Sequence, residues 1–527
     1  MRAVIGIDAG TTAIKSVAFS LDGTVLAVAR RTVGVNRGAS SSSASESDMD
    51  EVWGLAVETL REVIDAVPDR EIVAIGVTGQ GDGAWFVDAS GAPAGPAVLW
   101  NDGRSTEVVR EWEGTGANEA VRAATGSPIH PGALPAIWEA LRRDGAQPAA
   151  AHHLNCKDWI RYRLVGAMAT DPTEASRTYL DTATGEYSTD LAAALGHEEL
   201  LAMLPEPLPS ERIAGTLLPD VQRLLGLDAA VPVAVGVFDT VAAGVGLGAI
   251  ADGDSYVVLG TTAVVCTNQP SARERHHPDS ILLRTGRGEQ VTECLAQMSG
   301  MPNLDWARAT LGLDAHDWTE IEERLAGPDD GAGALFLPYT SPSGERAPFR
   351  DLHASAGWVG AHVTTSKWAL LRAVYAGLAH SVYESVLGLD GGAAGEPGDA
   401  ASGDASITIG GGGAQSPLLC RMLADLSGRT VIRQVDGEVG ARGAAAVALA
   451  AAGGAPDLAA AVAALKPETE SFTPEPTRRA AATAAFEAFR DVRDALRPLW
   501  PSLHRLGRPS HAEHPPIPEI PQRRTPA

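Results

Sequence analysis

Apolar and polar positions follow two patterns along the chain, one typical of buried strands and one typical of helices. Short continuous apolar runs, which favour buried strands, lie at 72–78, 231–237 and 254–267. Apolar residues at helical spacing lie at 136–144, 157–164, 366–389 and 442–465. A further helix is predicted from Asp50, because Asp and Glu occupy its first turn. Strands that alternate with helices indicate an α/β fold of packed layers.

Three segments of small and polar residues interrupt or follow this pattern. Residues 38–50 and 390–406 are rich in small and polar residues and predict loops. Residues 507–527 contain "HPPIPEIP" and predict a disordered tail. The chain has 527 residues, and one hydrophobic core rarely serves more than about 300, so we expect two domains.

One short motif occurs in both halves of the chain. The N-terminus contains "VIGIDAGTTAIKSVAF", and the segment from residue 255 reads "SYVVLGTTAVVCT". Each predicts a strand, a Gly-Thr-Thr turn and a second strand. The pair indicates a duplicated domain, with a chance similarity of two turns as the alternative.

Charge and cysteine content narrow the class of protein. The formal net charge of −24 argues against nucleic acid or an anionic membrane as a partner. No apolar run reaches the ~18 residues of a membrane span. The N-terminus "MRAVIGIDAGTT" reads as a strand and a turn rather than a signal peptide, so we expect a cytoplasmic protein. The four cysteines are widely spaced, which favours reduced structural thiols over zinc ligands or disulfides.

Three glycine turns are candidates for binding phosphate or nucleotide. In "DAGTT", residues 8–12, the backbone of a tight turn can surround a phosphate, and Asp8 can hold Mg²⁺ at its mouth. The second candidate is "GTT" at 260–262, and the third is "GGGGA" at 410–414, which follows an apolar strand. A plain hairpin turn is the alternative for the first, and a flexible loop is the alternative for the third.

Two further features admit both a functional and a structural interpretation. Asp239 follows a buried apolar run and precedes an apolar helix, so it is either a base at the sheet edge or a helix N-cap. In "GVTGQGDGAWFVD", residues 76–88, glycines alternate with Gln80 and Asp82. Glycines in this arrangement indicate that another group approaches the backbone closely.

These motifs occur together in an order that resembles one family. Along the chain they are IGIDAGTT, TGQ-x-x-G, WNDGR, KDW, G-x-x-D, LGTT, SGER-x-P and GGGGAQS. Over about residues 3–455 the chain resembles the FGGY carbohydrate kinases, especially those for xylulose, erythritol and L-xylulose. The resemblance implies two actin-like (ribonuclease H-like) domains flanking a catalytic cleft. We expect an acceptor-binding domain at 1–243, an ATP-binding domain at 244–505 and a Pro-rich tail at 506–527, with a homodimer as one option.

The resemblance also implies roles for individual residues. Asp239 is implied as the catalytic base, and Asp8, directly or through water, and Asp239 as the carboxylates associated with Mg²⁺. The residues implied to contact ATP are Gly10, Thr11, Thr12, Gly260, Thr261, Thr262, Gly411, Gly412, Gly413, Ala414 and Gln415.

The identity of the acceptor rests on the segment in which this chain departs from the xylulokinases. They carry Met-His where this chain has Gly81-Asp82. An ionised Asp82 only accepts hydrogen bonds and suits two neighbouring hydroxyls, with a turn residue that bonds its own backbone as the alternative. The residues expected to contact the acceptor are Gln80, Gly81, Asp82, Trp100, Asn101, Asp102 and Asp239. We expect a four- or five-carbon polyol or ketose, with D-xylulose itself, or a different actin-like ATPase, as alternatives.

Two other motifs receive structural interpretations. Glu345 and Arg346 of "SGERAP" are expected to form an ion pair that braces the region between the domains. The histidine pairs at 152–153 and 276–277 lack a partner pattern and are expected at the surface.

Overall fold

The structure is a computed structural model that describes residues 1–38, 43–327, 333–341, 344–391 and 406–506. Three predicted segments lie wholly or partly outside the described residues. They are the tail at 507–527, most of the loop at 390–406 and part of the loop at 38–50.

The N-terminal half contains eleven strands and nine helices before the helix that carries Asp239 among the residues described there. The strands are β1 (Arg2–Ala9), β2 (Ala13–Ser20), β3 (Val25–Thr32), β4 (Asn36–Arg37), β5 (Ser45–Ser47), β6 (Glu71–Gly79), β7 (Trp85–Val87), β8 (Ala97–Val98), β9 (His152–Leu154), β10 (Ile213–Thr216) and β11 (Pro232–Ala234). The helices are α1 (Met49–Asp65), α2 (Thr106–Thr115), α3 (Ala117–Thr125), α4 (Leu134–Arg143), α5 (Cys156–Val165), α6 (Pro172–Ala175), α7 (Thr189–Leu195), α8 (Glu198–Met203) and α9 (Pro219–Leu224).

The C-terminal half follows helix α10 (Asp239–Gly246). Its strands are β12 (Ser255–Leu259), β13 (Ala263–Gln269), β14 (Ile281–Arg284), β15 (Val291–Gln297), β16 (Leu335–Leu337), β17 (Gly357–Val359), β18 (Ile407–Gly410), β19 (Val431–Gln434) and β20 (Thr469–Phe472). Its helices are α11 (Pro302–Thr310), α12 (Trp318–Leu325), α13 (Lys367–Leu389), α14 (Pro417–Ser427), α15 (Val439–Ala451), α16 (Leu458–Ala464), α17 (Pro476–Leu496) and α18 (Trp500–Leu506).

The two large sheets have matching strand orders. The first runs β10-β11-β6-β1-β2-β3, and the second runs β14-β15-β13-β12-β18-β19-β20. Each sheet contains an antiparallel hairpin with a Gly-Thr-Thr turn, β1–β2 in the first sheet and β12–β13 in the second. The first strand of the hairpin pairs in parallel with a later strand, which is β6 for β1 and β18 for β12. The repeated order agrees with the duplication that the two turns predict.

Two helices pack between the sheets at very short range. A Cβ on Gly6 of β1 would lie 1.8 Å from the carbonyl oxygen of Ala441 in α15, so only glycine permits this approach. A Cβ on Gly443 of α15 would lie 1.8 Å from the carbonyl oxygen of Ala242 in α10. One apolar cluster joins these helices to strands of both sheets, and each sheet has a further core of its own. This packing brings the ends of β1, β6 and β12 to one cleft.

Most predicted elements are present, with three corrections. The loop predicted at 38–50 contains β5 and the first residues of α1. The strand predicted at 231–237 is only β11, because the chain leaves the sheet after Ala234. The helix predicted at 442–465 is two helices, α15 and α16, because the Gly453-Gly454 pair and Pro456 interrupt the helical backbone. The predicted domain boundary after residue 243 falls within α10 and stays a prediction.

Two statements about chemistry and environment follow from the described residues. All four cysteines are buried and free. In the described ranges no helix combines the length and the apolar character that crossing a membrane requires.

Candidate active site

A cavity of about 150 Å³ lies where the two halves meet. The N-terminal half lines it with Asp82, Trp100 and Asp239, and the C-terminal half contributes Thr262 and Arg346. Four of these five side chains carry charge or can form hydrogen bonds through a hydroxyl, while aliphatic and aromatic side chains form most of the remaining wall. The cavity therefore suits a small ligand that presents both hydroxyl groups and C–H faces.

Asp82 enters this cavity from a strained turn at the end of β6. Its φ of +54° lies in the left-handed region, which is uncommon for residues other than glycine. Gly83 follows with φ +79°, and a Cβ there would lie 2.4 Å from the carbonyl oxygen of Val98. A Cβ on Gly81 would lie 1.7 Å from the ring of Phe238. The glycines of this segment thus admit protein groups, and the turn that they permit directs Asp82 inward.

The Asp82 carboxylate is paired with Arg177 inside the cavity. Arg177 Nε lies 3.1 Å from Oδ1 and 3.3 Å from Oδ2, and its Nη2 lies 3.3 Å from Oδ2. Both side chains are buried. Burial raises the pKa of Asp82, and the charge and hydrogen bonds of Arg177 act in the opposite direction. The alternative expectation, a turn residue that bonds only its own backbone, does not describe this carboxylate.

His130 is the third side chain of the polar cluster that contains Asp82 and Arg177. Burial, together with the charges of Arg346 and Arg177, holds the pKa of His130 well below its usual value, so the ring is neutral near pH 7. Its Nδ1 lies 3.1 Å from the Pro131 carbonyl, which accepts from Nδ1–H. Its Nε2 is then free to accept from Arg177 Nη2 at 3.1 Å. Asp82, Arg177 and His130 therefore form one hydrogen-bonded unit whose carboxylate retains lone pairs for a ligand.

Asp239 is the first residue of α10 and faces the same cavity. Phe238 occupies the N-cap position of α10, so Asp239 is not the N-cap residue, and its Oδ1 accepts from the Thr240 hydroxyl at 3.1 Å. Burial, followed by the charges of Asp8 and Asp82, raises the pKa of Asp239 to about 7. A carboxylate with a pKa near neutrality is suited to accept a proton in catalysis.

Asp8 lies at the end of β1, close enough to Asp239 for the two carboxylates to interact electrostatically. Burial raises the pKa of Asp8, with the charge of Lys15 opposing and that of Glu438 adding to the effect. Lys15 itself pairs with Glu438, at 3.0 Å between Nζ and Oε2. Within the described ranges the Asp8 carboxylate has no hydrogen-bond or ion-pair partner. Two poorly compensated carboxylates on one cleft fit Mg²⁺, which takes few carboxylates and keeps its waters.

The Gly-Thr-Thr turn after β1 contacts Trp100 in the wall of the cavity of about 150 Å³. Thr11 donates its hydroxyl hydrogen to Gln80 Oε1 at 3.0 Å and accepts from Trp100 Nε1 at 2.7 Å. Its hydroxyl is thus occupied by protein groups. The backbone N–H groups and Thr12, which is exposed, are the parts of this turn that remain for a phosphate.

Of the other two predicted nucleotide turns, the one at 410–415 borders a second cleft, of about 340 Å³, whereas Thr262 of the turn at 260–262 lines the first cavity. The Gly260–Thr262 turn is backed by Gly300, where a Cβ would lie 2.6 Å from the Gly260 carbonyl oxygen. Gly412 and Gln415 line the cleft, but Gly413 and Ala414 are buried beneath it. The sequence did not predict the opposite wall, which is formed by Met301, Trp318 and Glu322.

Several predicted site residues lie elsewhere. Asn101 is exposed, and Gln80 reaches the cavity only through Thr11. Asp102 is buried and accepts hydrogen bonds from the Ser45 backbone at 2.7 Å and from Arg104 Nε at 2.8 Å. Its carboxylate therefore braces the loop and does not line the cavity.

One structural interpretation from the sequence is wrong, and the surface position expected for the histidine pairs is wrong for His153, while His152 and His276 are exposed. Glu345 does not pair with Arg346; it accepts from the backbone N–H groups of Met298 and Arg346, at 2.6 and 2.9 Å. The Arg346 side chain has no ion-pair partner among the described residues and enters the cavity. His153 is buried against the Phe86 ring, with centroids 5.5 Å apart, and burial lowers its pKa to about 4.

Comparison with known proteins decides the family. The model of the N-terminal domain of the FGGY family of carbohydrate kinases matches residues 3–246, and that of the C-terminal domain matches residues 255–452. The chain belongs to the FGGY family of carbohydrate kinases. It is thus a phosphotransferase with a hydroxyl acceptor, built as two actin-like α/β domains.

Several similar proteins are kinases of small sugars or polyols. The chain is 30% identical to the erythritol kinase of Brucella abortus, covering 86% of this chain and 88% of that protein. It is 25% identical to a xylulose kinase of Staphylococcus xylosus, covering 85% and 90%. The fold matches the xylulose kinase of Lactobacillus acidophilus with a TM-score of 0.85 and 21% identity, over 95% of this chain and all of that one. This FGGY kinase is therefore close to the xylulose and erythritol kinases.

Proposed function

We propose that this FGGY kinase transfers the γ-phosphoryl group of ATP, with Mg²⁺, to a primary hydroxyl of a four- or five-carbon polyol or ketose. The observation that carries the proposal is Asp239, a carboxyl with a pKa near 7 that faces a small cavity beside Asp82. Such a group accepts the proton of the attacking hydroxyl as the bond to phosphorus forms.

The cavity supports a short acceptor. A volume of about 150 Å³ is comparable to the space that benzene occupies in an engineered protein cavity. Asp82 offers two acceptor oxygens to neighbouring hydroxyls, and Arg177 and His130 hold that carboxylate in place. Trp100 supplies an apolar face for the C–H side of the acceptor. A site built from such paired polar groups rejects acceptors whose hydroxyls are missing or inverted.

The nucleotide is proposed to lie across the second cleft. Gly412 and Gln415 would border its adenosine, and the backbone N–H groups of the two Gly-Thr-Thr turns would bind its phosphates. Asp8 and Asp239 would hold Mg²⁺, directly or through water. The cation neutralises charge that develops on the transferring group when it is bound.

Erythritol and D-xylulose are the two acceptors whose rates should be compared first. Erythritol is favoured by the 30% identity to an erythritol kinase and by the small cavity. D-Xylulose is favoured by the xylulose kinases among the relatives and by the "WNDGR" motif. We place the reaction in the cytoplasm, where ATP is available and buried thiols such as those of this chain stay reduced.

A coupled ADP-release screen tests the proposal. The panel contains erythritol, threitol, D- and L-xylulose, ribulose, ribitol, arabitol, xylitol and glycerol, each with ATP and Mg²⁺. We expect saturable, acceptor-dependent ADP release with at least one four- or five-carbon compound. Release that is independent of every acceptor, or that occurs with glycerol alone, would contradict the proposed size class.

A further inference from the structure

One peptide group immediately before Asp239 is held at both ends by buried threonine hydroxyls. The Thr78 hydroxyl, at the end of β6, donates to the Val237 carbonyl oxygen at 2.7 Å. The Thr173 hydroxyl, in α6, accepts from the Phe238 N–H at 2.8 Å. The carbonyl and the N–H belong to the same peptide plane, so the two bonds fix its orientation.

The Thr173 hydroxyl is itself fixed in the accepting role. Its hydrogen points to Asp171 Oδ2 at 2.7 Å, and the same oxygen accepts from the Ser210 hydroxyl at 2.8 Å. The other oxygen of Asp171 lies 3.0 Å from Nζ of Lys157, in a fully buried ion pair. A carboxylate beside an ammonium group only accepts hydrogen bonds, which leaves a lone pair of Thr173 for the backbone N–H. Lys157 is the lysine of the "KDW" motif.

A residue two positions after this motif in α5 holds the chain two residues before Val237. Arg161 Nη1 donates to the Val235 carbonyl oxygen at 2.8 Å and to Asp158 Oδ1 at 2.7 Å. Residues 235–238 lie beyond β11, where the N–H groups of Val235 and Gly236 donate to the carbonyl oxygens of Arg212 and Ser210 at 2.9 and 3.1 Å. Side chains supplement these two backbone bonds over the segment that leads to Asp239.

The Val237–Phe238 peptide determines the position of two parts of the cavity. Asp239 follows it directly as the first residue of α10. The Phe238 ring, which precedes Asp239, occupies the space beside Gly81, where a Cβ would lie 1.7 Å from a ring carbon. Rotation of this one peptide would move both the carboxylate and the ring. A displacement of about 1 Å at a reacting group can cost about 100-fold in rate.

We infer that Thr78 and Thr173 form a two-sided clamp on the Val237–Phe238 peptide and are positioning residues for the catalytic base. Lys157 and Asp171 support the clamp by orienting the Thr173 hydroxyl. Neither threonine lines the cavity, so the clamp acts through Asp239 and Phe238 and not by contact with the acceptor. The inference rests on the proposed role of Asp239.

The clamp predicts that turnover and acceptor binding respond differently to substitution. Thr173→Val keeps the shape of the side chain but removes the oxygen that accepts from Phe238. We expect at least a tenfold loss of kcat with a change of less than threefold in KM for the acceptor. Thr173→Ser retains the hydroxyl and should recover kcat to within about twofold of the parent. Thr78→Val should behave like Thr173→Val.

Thr59 provides a matched control. It is a fully buried threonine of α1 whose hydroxyl donates to the Ala56 carbonyl at 3.1 Å, away from the cavity. Thr59→Val should keep kcat within twofold even if it lowers the melting temperature.

The experiment separates failure of the clamp from failure of the proposed function. The rates are measured with erythritol and with D-xylulose, and Asp239→Asn is included in the same series. If Asp239→Asn loses turnover while both valine variants keep kcat within twofold, the clamp is wrong and the base stands. If Asp239→Asn keeps turnover, both ideas fall. Should Thr173→Val not fold, Thr78→Val decides the question, because it removes the other hydroxyl.

Discussion

The raised pKa of Asp239 makes a direct prediction about the pH dependence of the reaction. A base acts in its ionised form, so kcat/KM for the acceptor should rise with pH through the pKa of the free enzyme. The structure sets that pKa at about 7, raised first by burial and then by the charges of Asp8 and Asp82. An ordinary aspartate, with a pKa of about 3.9, would show no such limb above pH 5.

The size of the effect follows from the pKa. One pH unit below a pKa of about 7, only about one molecule in eleven carries the carboxylate, so kcat/KM at pH 6 should be up to about tenfold below its plateau, and less to the extent that Mg²⁺ held beside Asp239 favours the carboxylate. Asp82→Asn removes one of the charges that raise this pKa and should shift the limb to lower pH. The shift should be smaller than a full unit, because burial and Asp8 remain the larger causes.

Coupled ADP release at saturating ATP and Mg²⁺ provides the assay. Acceptor concentration is varied at each pH from 5.5 to 8.5, and the coupling enzymes are kept in excess so that they do not limit the rate. The reasoning would be refuted by a flat kcat/KM between pH 5.5 and 8. A limb that Asp82→Asn moves to higher pH would refute the electrostatic explanation.

Three substitutions test other parts of the account. Folding raises the pKa of Asp239 from 3.8 to about 7, so the stability gained from its protonation is complete below pH 3.8 and is lost as pH rises through 7. Asp239→Asn should therefore raise the free energy of unfolding by about 2–4 kcal/mol at pH 8 and by much less at pH 5. Urea denaturation at the two pH values measures the difference. Arg177→Met leaves the Asp82 carboxylate buried without its ion-pair partner. It should lower the free energy of unfolding by about 3 kcal/mol or more and raise KM for the acceptor. If both values are unchanged, the Asp82–Arg177 pair does not have the proposed role. Gly81→Ala places a methyl group 1.7 Å from a ring carbon and should abolish activity, while Gly54→Ala, with no atom within 4 Å, should leave kinetics unchanged.

The fold was predictable from the sequence where its signals are local. The Gly-Thr-Thr turns, their flanking strands and the long helix α13 are each encoded within about twenty residues, and all are present. The helix predicted at 442–465 is broken because the Gly453-Gly454 pair outweighs the alanine-rich pattern around it. The strand at 231–237 is short because regular pairing ends at Ala234, beyond which side chains and two backbone bonds to Arg212 and Ser210 hold the chain.

The site was predictable only in part, because its charged members come from distant segments. Asp82 and Asp239 stand in recognisable motifs, but Arg177 lies 95 residues after Asp82 and His130 lies 47 residues before Arg177. No local pattern marks either residue as a partner of the carboxylate. The sequence suggests that Arg346 forms an ion pair with the adjacent Glu345. In the structure, backbone N–H groups donate to the Glu345 carboxylate, and the Arg346 guanidinium enters the cavity.

The most direct test of the central claim compares acceptor-dependent ADP release by the parent enzyme and by Asp239→Asn. The assay uses ATP, Mg²⁺ and the panel compound with the highest rate, and acceptor affinity is followed separately by calorimetry. We predict that kcat falls by a factor of about 100 to 10,000 while the dissociation constant of the acceptor changes little. Near-normal turnover by Asp239→Asn would show that this carboxylate is not the base and would contradict the proposed mechanism.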